Sequence, residues 1–307
     1  MIVKSISDRL HMFKVAIFGA NGYIGRHLTG YLYRRNIDFQ LFDIQETSAD
    51  GISVYSKCDV TDDKWWEAFD PTDFNVVFFL VGLSGPERSF QIAERYEDVN
   101  VRGLLLLMQK VSYLGKKAPK IIFPSSRLVY RGGGSVTEES PLEARSVYAA
   151  NKIACESLLS AYYHRYGMPF VALRICVPFG NIVSKEYSYG TLGFFMQQVM
   201  SGKPITVYGD GQCTKTYTYI EDLCLVCHKV MVTAGAIGVY NVGGHDYSLK
   251  EVAEMVVKKH GGRIEYVPWP EEALRVEMGN ISLNATKLAD VIGFIEYKRM
   301  ENLTNVF

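Results

Sequence analysis

Tyr148 and Lys152 stand four residues apart in the string YAANK (148–152). On a helix that spacing brings a phenol and an ammonium onto one face. A phenol is ordinarily a poor acid–base group at neutral pH, with a reference pKa of about 10. A neighbouring ammonium, joined by a second positive group, favours the phenolate and draws that value toward neutrality. Ser126 closes the string KIIFPSS (120–126), and its hydroxyl is suited to holding a reacting oxygen by a hydrogen bond. Together the three side chains suit moving a hydroxyl proton at a carbon that gains or loses hydride. Taken alone, Y-x-x-x-K is an ordinary surface pair. Its place, after a strand ending in Ser125-Ser126 and inside a long helical pattern, gives it weight.

Hydride chemistry needs a carrier, and GANGYIG (19–25) offers a seat for one. Gly19 permits a tight turn, Gly22 lets backbone N–H groups approach a pyrophosphate, and Gly25 lets a helix pack close to a strand. Asn21, Tyr23 and Ile24 lie in the same turn, at a helix start whose dipole favours phosphate. Asp43 ends the second apolar run, 18 residues after Gly25. A carboxylate there can accept hydrogen bonds from both ribose hydroxyls of NAD and would repel the 2′-phosphate of NADP. No Arg lies within three residues of it, so NAD is the expected cofactor. Asp59, followed by Val60 in KCDVTD (57–62), suits either an adenine amino group or an ordinary turn cap.

The elements that must position these residues follow from apolar patterning. Short runs at 13–20, 39–44, 76–81, 120–126 and 170–175 are apolar nearly throughout, as expected of parallel strands covered on both faces. Helical patterns at 23–35, 94–115 and 147–166 alternate with them. The expected fold is α/β, a doubly wound parallel sheet of the Rossmann type. After residue 176 the pattern loosens, with a strand at 238–244, a helix at 248–260 opened by a Ser248/Glu251 capping box, and strand and loop at 263–283. The expected division is a dinucleotide-binding domain over 12–176, with returns near 216–243, and a smaller substrate lobe over 177–215 and 244–307. Residues 1–11 read as a frayed extension or alternative start.

With 33 basic and 33 acidic residues the net charge is zero, which gives nothing to attract nucleic acid or an anionic membrane in bulk. No apolar run approaches the ~20 residues of a membrane span, and the N-terminus lacks the apolar centre of a secretory signal. Six scattered cysteines, Cys224 and Cys227 among them as C-x-x-C, read as buried thiols of a reduced, cytoplasmic protein. No second Cys/His pair completes a zinc site, so no metal is expected.

These strings resemble the extended short-chain dehydrogenase/reductase family, the NAD-dependent sugar-nucleotide epimerases and dehydratases. The resemblance runs through GANGYIG, Asp43, Asp59-Val60, LVGLSG (80–85), Asn100 in DVNVRG, SSRLVY (125–130), YAANK, LRICVPFGN (173–181), YGDGQCTKTYTYIEDL (208–223), YNVGG (240–244) and NATKLADVIGF (284–294). It implies Ser126, Tyr148 and Lys152 as catalytic residues, Tyr148 and Lys152 also touching the cofactor. It further implies Leu80, Val81 and Gly82 lining the cofactor, and Asn100 bracing the active-site lysine. Ser84, Ser125, Ser126, Lys215 and Arg275 fall on the substrate side, the last two as matches to phosphate-binding arginines. The partner it implies is a nucleotide sugar, and the assembly a homodimer formed by helices near 95–113 and 147–166.

Dehydratases of the family resemble T-D-E-V-Y at Ser126, where Asp and Glu serve water elimination. Here Leu128 cannot act as acid or base, and Arg127 replaces a small residue. The expected activity is therefore 4-epimerisation through a transient 4-keto sugar. The alternatives are a 4-keto reductase using NAD(P)H and a non-enzymatic NAD-binding regulator, the latter disfavoured because Tyr148 and Lys152 are both present.

Overall fold

A computed structural model describes residues 13–183 and 189–303; the extension at 1–11 lies outside them. The strands in chain order are Lys14–Phe18 (β1), Asp38–Asp43 (β2), Tyr55–Lys57 (β3), Val76–Phe79 (β4), Lys120–Ser126 (β5), Gly134–Val136 (β6), Phe170–Ile175 (β7), Val177–Phe179 (β8), Ile205–Tyr208 (β9), Thr214–Tyr219 (β10), Gly238–Asn241 (β11), His245–Ser248 (β12), Ile264–Val267 (β13) and Ile281–Leu283 (β14). Seven of them form one sheet in the order β11-β7-β5-β4-β1-β2-β3. Every pairing in it is parallel.

The continuous apolar strands have a direct physical reading in β1. Val15 and Ile17 pack into one buried cluster with Leu28, Leu32, Val226 and Val230, while Ala16 and Phe18 pack into a second with Trp66, Leu107, Met108 and Leu159. Successive side chains of a strand point to opposite faces, so both faces must be covered and neither can be polar. Helices Tyr23–Tyr33 and Ile220–Val232 cover one face, and Gly103–Val111 and Val147–Tyr166 the other. Each buried Phe, Leu or Met contributes about 1.5–3 kcal/mol.

The strand order reverses between β1 and β4. From β1 the chain builds outward through β2 and β3, then returns to build β4, β5, β7 and β11 on the other side. Loops leaving β1 and β4 diverge there and open a crevice at the strands' C-terminal ends.

A smaller sheet runs β12-β10-β14-β6, with β8 paired to β10, and β9 and β13 form a separate parallel pair. β10 belongs to this smaller sheet, and the chain rejoins the large one through the helix Ile220–Val232 and β11.

Three local expectations differ from the structure. The helical pattern at 94–115 is a helix from Ala93 to Val111 interrupted by a π turn at Asp98–Arg102, followed by a 3-10 segment Ser112–Lys117. The stretch 263–283 holds a helix, Glu271–Val276, between β13 and β14. β3 is an additional edge strand, too short and half-exposed to show an apolar run. The capping box of Leu249–His260 is present as expected, with Ser248 Oγ accepting from the Glu251 N–H.

Candidate active site

Helix Val147–Tyr166 owes its start to Ser146, whose Oγ accepts the Ala149 N–H at 3.1 Å. Gly167, at φ 75°, ends it in the left-handed conformation usual for a C-terminal glycine. That start places Tyr148 in the first turn and Lys152 one turn on, both facing the end of β5. Ser126, Tyr148 and Lys152 line one cleft of about 260 Å³ with Gly19, Tyr23, Leu80–Ser84 and Tyr189. Lys152 Nζ donates to the Pro124 carbonyl at 2.6 Å and lies 5.6 Å from the Tyr148 ring centre.

A second cleft of about 330 Å³ is lined by Asn21, Asp43, Asp59, Val60, Arg95 and Val99. Both clefts share Gly19, Gly22 and Leu80–Leu83 and form one groove across the crevice. The glycines are sterically required. Gly19 has φ 79°, and a Cβ on it would sit 2.8 Å from the Leu80 carbonyl carbon. A Cβ on Gly25 would sit 2.2 Å from the Gly19 oxygen.

The groove suits a dinucleotide on several counts. The helix Tyr23–Tyr33 begins at Gly22 with no side-chain cap and no acid in its first turn, so its positive end is open to phosphate. Asp43 lines the far end; its Oδ2 accepts the Asn21 N–H at 2.9 Å, leaving lone pairs for two ribose hydroxyls. Asp59 also lines the groove, while its Oδ1 caps the turn at Thr61 through N–H and hydroxyl at 2.9 and 2.7 Å. Burial opposes ionisation of Asp59, yet the Thr61 bonds hold it below the usual carboxylate range.

The electrostatics amend the expected proton chemistry. In the chain alone, burial pushes the Tyr148 phenol well above its ordinary value; the Ser126 hydrogen bond and Arg127 work against that rise. Lys152 does not counter it. Burial pushes the ammonium itself down to about 8, against the pull of Cys155 and Glu156. The lysine alone therefore does not acidify the phenol, because both groups are enclosed and neither charged form is well solvated. A further positive charge beside the ring would lower the phenol's value.

Several residues expected at ligands are occupied otherwise. The Asn21 amide donates to Gln45 Oε1 and the Thr47 carbonyl and its oxygen accepts from Ala49, so it ties down the loop after β2. Asn100 braces the Leu80–Leu83 loop rather than the lysine: its Oδ1 accepts the Leu83 N–H at 2.7 Å and its Nδ2 donates to the Leu83 carbonyl at 3.1 Å. Ser125 lines the cleft, and its hydroxyl donates to Glu156. Ser84 lines the cleft, and its carbonyl accepts from Tyr96. Lys215 is buried on β10 and pairs with Glu277 at 3.3 Å. Arg275 lies outside the clefts, 71% exposed and paired with Glu271 one turn back. In that segment Glu277, not Arg275, reaches the buried lysine, because the turn after the helix Glu271–Val276 points 277 inward.

A buried network under the catalytic end of β5 escaped the sequence reading. Arg174 donates to both Glu156 oxygens at 3.0 and 2.6 Å and to the Tyr130 hydroxyl at 2.9 Å; Tyr130 in turn donates to Asn241 at 2.6 Å. A charged residue inside the apolar run FVALRI was the available signal, since a buried charge demands a partner. Tyr189 stacks on Tyr23 with ring centres 4.4 Å apart, a contact without sequence signature. Cys224 and Cys227 are free thiols packed in the core, and burial pushes Cys227 up to about 12.

A parallel sheet whose reversal point carries a glycine turn and ends on Ser, Tyr and Lys defines a dinucleotide-binding protein of the extended short-chain dehydrogenase/reductase type. The chain belongs to the NAD dependent epimerase/dehydratase family, whose model matches residues 15–243. It is 28% identical over 204 residues to the low-salt glycan biosynthesis protein Agl12 of Haloferax volcanii, covering 65% of this chain and 64% of that one. It is 24% identical over 278 residues to a dTDP-D-glucose 4,6-dehydratase of Dictyostelium discoideum, covering 81% and 63%. The chain thus spans a little under two thirds of these curated relatives. Among solved structures, the UDP-glucose 4-epimerase of Thermus thermophilus in complex with NAD superposes with a TM-score of 0.78 at 25% identity, covering 91% of this chain and 92% of that one. No helix among the described residues is long and apolar enough to cross a membrane.

Proposed function

We propose that the protein is an NAD-dependent sugar-nucleotide 4-epimerase. The observation that carries this reading is the site's composition: Ser126, Tyr148 and Lys152 line one cleft, and positions 127 and 128 hold Arg and Leu. A 4,6-dehydratase needs an acid and a base there to eliminate water. Leu128 packs against the cluster of Val129, Tyr130, Val136 and Met278 and supplies neither. When bound, the nicotinamide supplies reversible hydride transfer at the sugar carbon and a positive charge beside the phenol. Tyr148 then takes the proton of the C4 hydroxyl and returns it, Ser126 holds the same oxygen, and Lys152 bonds the nicotinamide ribose. Asp43 at the far end favours NAD over its 2′-phosphorylated form. The likeness to the Thermus thermophilus epimerase supports the same assignment.

The test is incubation of the purified protein with UDP-, GDP-, CDP- and dTDP-linked sugars, with products read by NMR. C4 isomers formed without added cofactor are the expected result. Strict consumption of NADH would make the protein a reductase, and inertness toward every nucleotide sugar would make it a binding protein. The same reading includes a homodimer through helices Ala93–Val111 and Val147–Tyr166; the exposed Tyr113 and Tyr166 at their ends support it, and sedimentation at micromolar concentration tests it.

A further inference from the structure

Arg127 departs most from its surroundings in charge. It follows Ser126 in the 3-10 turn Arg127–Val129, and its Nη1 is buried without a hydrogen-bond partner. Its charge reaches Tyr148 and Cys176, both lining the catalytic cleft, and also Lys215, Cys213, Tyr217 and Glu277 on the side of the smaller sheet. The guanidinium therefore lies within electrostatic reach of both Tyr148 and the buried Lys215–Glu277 pair.

The charges there do not balance. Arg127 and Lys215 bring two positive groups, and Glu277 brings one carboxylate, 3.3 Å from Lys215. Arg145, which also touches this segment, is compensated by Glu143 at 2.8 Å. Asp246 is exposed and accepts from Thr216 at 2.6 Å. Burial pushes the thiols of Cys176 and Cys213 up, so neither supplies a negative charge. A buried guanidinium N–H left unmet is costly, and a carboxylate or phosphate oxygen meets it with a strong, charge-assisted bond.

We propose that Arg127, together with Lys215, forms a buried anion site that takes an acidic group of the nucleotide-sugar substrate beside Ser126. This rests on the nucleotide-sugar reading above. Two groups have the required chemistry. A sugar acid carries a carboxylate on C6, two bonds from the reacting C4, which suits a cation adjoining Ser126. The substrate diphosphate is the other. In both cases Arg127 makes a small neutral residue into a selective one, since a planar fork matches two oxygens at once.

The experiment measures affinity by calorimetry on the full chain loaded with NAD, using UDP-glucuronic acid, UDP-glucose and UDP, for the wild type, Arg127→Gln and Arg127→Lys. Melting temperatures are recorded for all three proteins. The expected result is a loss of about tenfold or more in Arg127→Gln, with Arg127→Lys intermediate, because Lys keeps the charge and loses the fork. A loss confined to UDP-glucuronic acid assigns the site to a sugar carboxylate; a loss shared by all three, free UDP included, assigns it to the diphosphate. Unchanged affinities in a normally melting Arg127→Gln overturn the proposal. Should that variant fail to fold, unchanged affinities in Arg127→Lys overturn it equally. A wild type that binds none of the three ligands removes both this site and the nucleotide-sugar reading, whereas binding without C4 isomerisation removes only the epimerase activity.

Discussion

The Glu156 carboxylate takes two hydrogen bonds from the Arg174 guanidinium, at 2.6 and 3.0 Å, one helical turn beyond Lys152 and one strand away from Ser126. Both partners are almost fully enclosed, with 4% and 6% of their side chains exposed. Because Glu156 lies on the catalytic helix and Arg174 on β7, the pair locks that helix to the sheet. Replacing Glu156 by Gln leaves the guanidinium charge buried without its counterion, a loss of about 3–5 kcal/mol. Urea unfolding of Glu156→Gln measures it, and a midpoint equal to the wild type would show the pair contributes nothing.

Tyr148→Phe removes the hydroxyl proposed to move the substrate proton while preserving the ring. We expect turnover to fall by about 10²–10⁴ with dinucleotide binding retained. Ser126→Ala is expected to have a smaller effect, about 10²-fold, because it removes one hydrogen bond to the reacting oxygen. Activity within a factor of two of wild type in Tyr148→Phe would refute the assignment.

Burial sets the Lys152 pKa to about 8, below its ordinary 10.5. Below pH 8 the folded protein encloses a charged ammonium and is penalised in full. Between pH 8 and 10.5 the folded lysine gives up its proton while the unfolded one keeps it, so the penalty fades with rising pH. The dinucleotide-free Lys152→Met variant is therefore expected to be more stable than wild type at pH 7, by roughly 3 kcal/mol. The gap narrows toward pH 10. Parallel unfolding curves for the two proteins across that range, with a constant gap, would contradict the assignment.

Asp43 closes β2 in the groove and already accepts the Asn21 N–H. Asp43→Ala should weaken NAD binding by about 10-fold or more, since charge-assisted bonds to the ribose are lost. Asp43→Asn should narrow the preference for NAD over NADP, because the repulsion of a 2′-phosphate goes with the charge. Fluorescence titration with both cofactors reads the two affinities; unchanged NAD affinity in the Ala variant would misplace the ribose contact.

The sequence made the glycine turn and the parallel sheet legible because each rests on a single local rule: glycine where a Cβ collides, and apolar side chains on both strand faces. Ser126, Tyr148 and Lys152 were equally legible, since a strand end and a helix face bring them together. Arg275 was misleading because a match without fixed register cannot tell an inward from an outward turn of a short helix, and the helix Glu271–Val276 presents it to solvent. Asn100 bonds the Leu83 backbone of the groove-lining loop, a partner that no spacing in the sequence could name. The Arg174–Glu156–Tyr130 network joins residues far apart in sequence, and no local pattern encodes such a meeting.

Ile175 ends a strand of the large sheet and Val177 begins one of the smaller sheet, so Cys176 is the whole connection there. A jaw that opens needs a run of free torsions at its pivot, and one residue supplies hardly any. We therefore expect the two sheets to keep a fixed gap between them. The protein then sorts its ligands by the contour and polarity of that gap rather than by clamping down, and small-angle scattering curves with and without nucleotide sugar should overlay.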